Sequence, residues 1–295
     1  MDQFPPLSQW FEIITNKPTK LGYVRHDLRL KPSLSGDEYE NLINELCLLI
    51  GRLRLTKKEY QEWVAYIRTN DPISGISKTR FKNNFWRSFV SSEATKDETK
   101  PQFDTIALQG HLGEIFLYLI EIQLCSDRIG TSPSKPKRYS KDSGIDCLAI
   151  GGKRTDETSL YYTVWECKAT TQAEPESFPS KIYAHHLYET PKSLNEFIDH
   201  LAELYKDDLI LSQFVAEIAD DFYADDPTTK KRLGGCVVLS NSNFVGENAF
   251  AGFKSKFKTF LAPDDFCRQV RFCSVKDLDD IVNKVRDGIW NKLLP

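Results

Sequence analysis

The stretch Tyr162-Thr163-Val164-Trp165-Glu166-Cys167-Lys168 is the most informative part of this chain, because it sets a glutamate and a lysine two residues apart in an otherwise apolar and β-branched run. Such a run is typical of a buried strand. The stretch Ser143-Gly144-Ile145-Asp146-Cys147-Leu148-Ala149-Ile150 has the same character and carries an aspartate 20 residues before the glutamate. Because a Gly-rich, polar connector separates the two stretches, they predict two neighbouring strands.

The charged residues of these stretches occupy defined faces of the predicted strands. Side chains alternate between the two faces of a strand, so Asp146 shares a face with the apolar residues after it. By the same rule, Glu166 and Lys168 share a face with the apolar residues before them. Those apolar residues are Leu148, Ile150, Tyr162 and Val164. If the two faces coincide, two carboxylates and an ammonium meet at the edge of an apolar surface, where a charge is costly unless it is paired or binds a metal ion.

This combination of groups favours one kind of chemistry. Two acids can hold a divalent cation through oxygen ligands. An ammonium group beside them can orient an attacking water or stabilise the charge of a phosphoryl transition state. The two stretches therefore indicate cleavage of a phosphodiester bond, with Asp146 and Glu166 as the metal ligands and Lys168 beside the attacking water.

A third acid, Glu114, fits the same chemistry. It lies in a stretch that predicts a helix from about residue 104 to residue 125, with an apolar stripe at helical spacing that we expect to be buried. The stripe consists of Leu108, Leu112, Ile115, Leu119 and Ile122. Glycine inside a helix costs about 1 kcal/mol relative to alanine. Gly110 and Gly113 lie close to Glu114, so both are predicted to let the helix approach a sheet closely.

Together, Glu114, Asp146, Glu166 and Lys168 resemble the pattern of the PD-(D/E)xK nuclease superfamily in order, element type and spacing. Gln172 is a weaker match to a polar residue that some members place after the lysine, and Ile145 stands where many members have proline. The resemblance implies an α/β fold with a restriction-endonuclease-like core, a mixed β-sheet flanked by helices. It also implies a Mg²⁺ or Mn²⁺ ion held by Asp146, Glu166 and Glu114.

The short sequence motifs around these residues resemble one particular family within the superfamily. The Gly-Glu, Ser-Gly-Ile-Asp and Glu-Cys-Lys motifs, the length of the chain and a helical N-terminal third are similar to the nuclease subunit of Hachiman-type bacterial antiphage systems. This resemblance implies a metal-dependent DNA endonuclease that acts in antiphage defence. It also implies a helicase or ATPase protein partner encoded nearby.

The chain is predicted to contain two regions. Residues 1–95 form a mainly helical region with a short strand-prone lead from Leu21 to Leu30, and residues 103–295 form the nuclease-like domain. Thr56 and Glu59 make a capping box that opens one of the N-terminal helices. The N-terminal region is rich in aromatic residues that either dock a partner or pack against the rest of the chain. These residues are Trp63, Tyr66, Phe81, Phe85 and Trp86.

Net charge, apolar runs and cysteine spacing indicate how the chain could bind DNA and where it is located. The formal net charge is −3, whereas a DNA-binding protein usually has a basic excess, so the contact with DNA is expected to be local or delivered by a partner. The best local candidate is a basic loop just before Asp146. It contains Lys135, Lys137, Arg138 and Lys141. No apolar run is long enough to span a bilayer, and the seven cysteines show no paired spacing, so we expect a cytoplasmic protein without a disulfide framework.

Other interpretations remain open at this stage. A Glu-x-Lys pair also occurs on solvated strands, and the chain could be a nuclease-like subunit with little cleavage that acts as a docking or regulatory module. A two-carboxylate hydrolase such as a glycosidase ranks last, because it does not explain Lys168. The adjacent His185 and His186 are predicted to be one packed and one exposed residue, since neighbouring helical side chains point about 100° apart.

Overall fold

The computed structural model describes residues 5–69, 75, 78–81, 105–124, 128–133, 145–170, 177–188, 190–224, 227–240 and 247–290. The strands in these residues are β1 (Phe11–Pro18), β2 (Val24–Leu30), β3 (Arg128–Pro133), β4 (Cys147–Lys153), β5 (Asp156–Thr170), β6 (Lys231–Ser240) and β7 (Arg268–Val275). The helices are α1 (Gly36–Arg54), α2 (Lys57–Thr69), α3 (Thr105–Leu124), α4 (Phe178–Tyr188), α5 (Thr190–Tyr205), α6 (Leu209–Tyr223), α7 (Phe253–Lys256) and α8 (Leu278–Trp290).

The described strands form one mixed sheet in the order β1-β2-β7-β6-β5-β4-β3. The central strands β2, β7, β6 and β5 run parallel to one another, and antiparallel pairs close both edges. Residues 160–167 of β5 are all buried, as expected for a strand covered by helices on both faces. The predicted α/β class with a mixed sheet between helices is confirmed, and its restriction-endonuclease-like character stays a prediction.

Two apolar cores lie on opposite faces of the sheet. Helices α1, α2, α3 and α8 cover one face, named here the α3 face, where Trp165 and Cys167 of β5 are buried. Helices α4 to α7 cover the other face, named the α4 face, where Tyr162 and Val164 are buried. Leu148 and Ile150 of β4 belong to this second core as well. The prediction that the two apolar faces coincide is therefore confirmed.

The N-terminal residues are built into the same sheet. Strand β2 pairs in parallel with β7, and β1 adds an antiparallel edge that the sequence analysis did not predict. Helices α1 and α2 lie in this region, and Thr56 and Glu59 make the predicted capping box. The first 95 residues thus contribute two strands to the sheet as well as helices. Strand β2 pairs with the edge of β7 that β6 does not occupy.

Some of the N-terminal aromatic residues are part of the core on the α3 face. Trp63 and Phe81 are fully buried, and the Trp63 indole donates to the Cys47 carbonyl at 3.0 Å. Helix α1 also contacts α8, where the Tyr39 hydroxyl donates to Asp280 at 2.8 Å. For Trp63 and Phe81 the structure therefore favours packing over docking. The predicted boundary between residues 95 and 103 and the residues Phe85 and Trp86 lie outside the described residues.

Helix α3 matches the predicted bounds within one residue but differs in two details. Ile122 is 41% exposed and does not belong to the buried stripe, because the helix buries Phe116 and Ile120 instead. Gly113 permits the close approach to the sheet, since a Cβ there would lie 2.9 Å from the Ala169 Cβ and 3.2 Å from the Cys167 sulfur. Gly110 has no such role: a Cβ there meets no described group within 4 Å.

Alanine substitutions at the two glycines should therefore have opposite effects on stability. Gly110→Ala is expected to raise the free energy of unfolding by up to about 1 kcal/mol, because alanine is the better helix former. Gly113→Ala is expected to lower it by about 1–3 kcal/mol, because the added methyl group overpacks the contact with β5. Urea denaturation of both variants measures the difference. Equal stabilisation by the two changes would contradict the close contact at Gly113.

Among the described residues, no helix is both long enough and apolar enough to cross a membrane.

Candidate functional site

The candidate site is centred on the Glu166 carboxylate, which is buried on the α4 face of β5. Its side chain is 1% exposed. Oε1 accepts a hydrogen bond from the Lys168 ammonium and lies 3.1 Å from Nδ1 of His185 on α4. Oε2 is also buried and has no hydrogen-bond partner among the described residues. Among the described residues, Oε1 therefore has two partners and Oε2 has none.

Lys168 lies on the same face because it follows Glu166 by two residues in the same strand. Its side chain is about one-third exposed, so its ammonium reaches the border of the buried region. Burial alone would lower the pKa of Lys168, but the carboxylates of Glu166 and Asp146 outweigh burial and raise it above its ordinary value. Lys168 therefore carries a positive charge at neutral pH.

Asp146 lies just before β4 and is tied to the backbone of β5. Its backbone amide donates to the Trp165 carbonyl at 3.0 Å, and its Oδ2 accepts from the Cys167 amide at 2.6 Å. Asp146 is only 3% exposed. The backbone contact at Cys167, between Glu166 and Lys168, holds this second carboxylate beside the pair. The antiparallel register of β4 and β5 produces this placement, since Cys147 pairs with Trp165.

The electrostatics of the site keep Glu166 ionised. Burial would raise the pKa of the Glu166 carboxyl, but the hydrogen bond from His185 and the positive charge of Lys168 bring it below its ordinary value. A buried carboxylate is stable only when such partners compensate for lost hydration. The site thus combines an ionised glutamate, a second buried carboxyl group and one ammonium in a mostly buried position.

Glu114 approaches from the α3 face of the sheet. Its carboxylate lies 3.5 Å from Nδ1 of His111 one turn earlier, and its side chain is 13% exposed. Both Glu114 and Asp146 contribute to the raised pKa of the Cys167 thiol, after the larger effect of burial, so both lie close to this residue. The structure therefore brings Asp146, Glu166 and Lys168 together, and it places Glu114 near Cys167 on the other side of β5.

The donor set suits a hard divalent cation in part. The unpartnered Oε2 of Glu166 is a buried carboxylate oxygen, the ligand type that Mg²⁺ and Mn²⁺ prefer. Among the described residues, no group of three or more His, Cys, Asp and Glu side chains is gathered closely enough to hold a metal ion. Asp146 and Glu166 are the candidate ligands, and a metal ion held by them and by Glu114 stays a prediction.

The two histidines of α4 differ from the prediction. His186 is buried: its Nε2 lies 3.0 Å from the Gly234 carbonyl, and its ring packs against Phe257. His185 is not exposed either, because its side chain is 12% exposed and contacts Glu166. This contact of His185 could not be predicted from the sequence, since no spacing relates a helical histidine to a strand 19 residues earlier.

Several predicted residues lie outside the described part of the chain. They are the basic loop residues Lys135, Lys137, Arg138 and Lys141, together with Gln172. Their contact with nucleic acid stays a prediction.

Comparison of the chain with models of protein families and with curated proteins finds no match. The site is therefore interpreted from its own residues.

Burial of His186 has a consequence for stability at low pH. Burial lowers the pKa of His186 from 6.5 to about 4. Between these values the unfolded chain binds a proton at His186 and the folded chain does not, so the free energy of unfolding should fall as the pH is lowered. Well above pH 6.5, His186 is unprotonated in both the folded and the unfolded chain, so this loss of stability is absent there.

His186→Gln tests this expectation, because glutamine can donate to the Gly234 carbonyl but does not titrate. Its free energy of unfolding should fall less than that of the unmodified chain between pH 7 and about 4, as measured by urea denaturation. The same pH dependence in both proteins would contradict a buried neutral imidazole at this position.

Proposed function

We propose that this chain is a metal-dependent DNA endonuclease of the PD-(D/E)xK type. The observation that supports it best is the pair of buried carboxylates, Asp146 and Glu166, beside the Lys168 ammonium on neighbouring strands. Buried charges of this kind are costly to keep, and they cluster at functional sites. The order and spacing of these residues are those of the superfamily that the sequence resembles.

In this function, Asp146 and Glu166 would hold Mg²⁺ or Mn²⁺, and Glu114 would complete or orient the ligand shell. When bound, the ion would supply Lewis-acid stabilisation to the phosphodiester that is cut. Lys168 keeps its positive charge because the two carboxylates raise its pKa. Its ammonium would orient the attacking water and offset the negative charge that develops on the phosphate.

The proposal includes partners. With a net charge of −3, the chain would bind DNA through another protein or through a local basic surface. The candidates for that surface are Lys135, Lys137, Arg138 and Lys141. The resemblance to the Hachiman nuclease subunit supports a helicase or ATPase partner and a role in antiphage defence in the bacterial cytoplasm.

A second candidate is a nuclease-like subunit with weak cleavage that serves as a docking or regulatory module. One observation favours it: Oε1 of Glu166 is already bound by both Lys168 and His185. If these donors hold Glu166 too firmly, they would compete with a metal ion for the carboxylate. Metal-dependent nicking of plasmid DNA by the purified chain, alone and with its partner, distinguishes the two candidates.

Glu166→Ala and Lys168→Ala are each expected to abolish cleavage, because each removes a separate source of transition-state stabilisation. The loss should be at least about 100-fold in kcat for each residue. Plasmid nicking assays measure it, with circular dichroism to show that the variants are folded. Glu157→Ala is the matched control, since Glu157 is an exposed acid on the same strand. A folded Glu166 or Lys168 variant that cleaves at the parental rate would refute the site.

Cleavage is also expected to require Mg²⁺ or Mn²⁺ and to fail with Ca²⁺ alone. The proposed ligands are hard carboxylate oxygens, which suit Mg²⁺ and Mn²⁺. The assay compares nicking in each ion and after addition of EDTA. Undiminished cleavage in excess chelator would rule out the metal-dependent mechanism.

A further inference from the structure

Helix α4 is fixed to the sheet directly beside Glu166. His186 contacts the carbonyl of Gly234 in β6, and Gly234 is the parallel partner of Trp165, the residue before Glu166. The next residue, Gly235, pairs with Glu166 and lies close to Ile182 of α4, where a Cβ would meet the Ile182 Cδ1 at 3.4 Å. These contacts position the backbone of α4 against β5 and β6 without any contribution from His185.

His185 uses this fixed position to contact the buried carboxylate. Its Nδ1 lies 3.1 Å from Oε1 of Glu166. Because an ionised carboxylate carries no hydrogen, Nδ1 must supply the proton of this hydrogen bond, and we assign the tautomer on that ground. The other ring nitrogen, Nε2, is buried and has no partner among the described residues. The histidine therefore acts on Glu166 through a single atom.

The hydrogen bond restricts how Glu166 can rotate. Oε1 is held by donors from two elements, Lys168 of β5 and His185 of α4, whereas Oε2 is buried and unpartnered. With both donors in place, the carboxylate plane is defined, and Oε2 is the oxygen left to bind a cation. Without His185, Glu166 would be held only by the flexible side chain of its strand neighbour.

We infer that His185 is a positioning residue that orients Glu166 for metal binding by holding Oε1 and leaving Oε2 as the ligand atom. This inference rests on the proposed function. Partners that orient a metal ligand commonly change metal affinity or activity by about 10- to 100-fold when they are removed.

Three substitutions at one position test the inference in the full chain. His185→Ala removes the donor. The amide nitrogen of asparagine takes approximately the place of Nδ1, so His185→Asn retains the donor to Glu166. The amide nitrogen of glutamine takes approximately the place of Nε2, so His185→Gln does not. His200→Ala is the matched control, because His200 is an exposed histidine on α5.

The first measurement is the affinity of the protein for Mn²⁺ alone. Electron paramagnetic resonance measures the concentration of the free ion and hence the bound fraction. His185→Ala and His185→Gln are expected to bind Mn²⁺ about 10- to 100-fold more weakly, and His185→Asn should lie within about threefold of the unmodified chain. With plasmid DNA as substrate, kcat should fall in the same order, and KM for DNA should not change, because His185 does not contact the nucleic acid in this scheme. Thermal melting of each variant confirms that it is folded.

Each outcome is decisive. Unchanged Mn²⁺ affinity in folded His185→Ala would overturn the positioning role and leave the proposed function intact. Equal behaviour of the Asn and Gln variants would also overturn it, since only ring volume would then matter. If His185→Ala does not fold, the comparison of Asn with Gln still decides the question. An unmodified chain that neither binds Mn²⁺ nor cuts DNA with its partner would overturn the proposed function and this inference together.

Discussion

The arrangement of this molecule depends on the burial of one carboxylate, Glu166, in the middle of a sheet covered on both faces. An ionised acid with 1% exposure is compatible with folding only if neighbouring groups replace its hydration. At Oε1, Lys168 supplies one replacement from the same strand and His185 supplies another from α4. Strand β5 and helix α4 must therefore meet at Glu166. The contacts of α4 with Gly234 and Gly235 of β6 hold the helix in this position.

A second buried ion pair fixes the opposite face. Glu121 of α3 and Arg271 of β7 are 3.3 Å apart and almost fully buried, so α3 cannot slide along the sheet without separating them. Gly113 brings the same helix within van der Waals contact of β5. The position of Glu114 near Cys167 follows from these two contacts. The carboxylates of the candidate site are thus held from both sides of the sheet by elements whose own packing is rigid.

Local sequence patterns predicted the parts of this structure that depend on neighbours along the chain. The alternation in β4 and β5, the capping box at Thr56 and the length of α3 all arise from spacing within a few residues, and all are confirmed. The parallel pairing of β2 with β7 and the contact of His185 with Glu166 join residues far apart in sequence. No periodicity encodes such contacts. Ile122 and Gly110 were assigned wrongly for the same reason, since spacing identifies a helix face but not how far the neighbouring element extends along it.

The pairing of β2 with β7 also constrains how the chain can fold during synthesis. Residues 24–29 find their parallel partners in residues 269–274, so β1 and β2 are complete long before the strand that receives them exists. Until then the β1–β2 pair exposes an open edge of amide and carbonyl groups, the kind of edge that recruits other chains. Contacts so distant in sequence also slow folding. The nascent chain therefore carries an unpaired strand edge until residues 269–274 have been made.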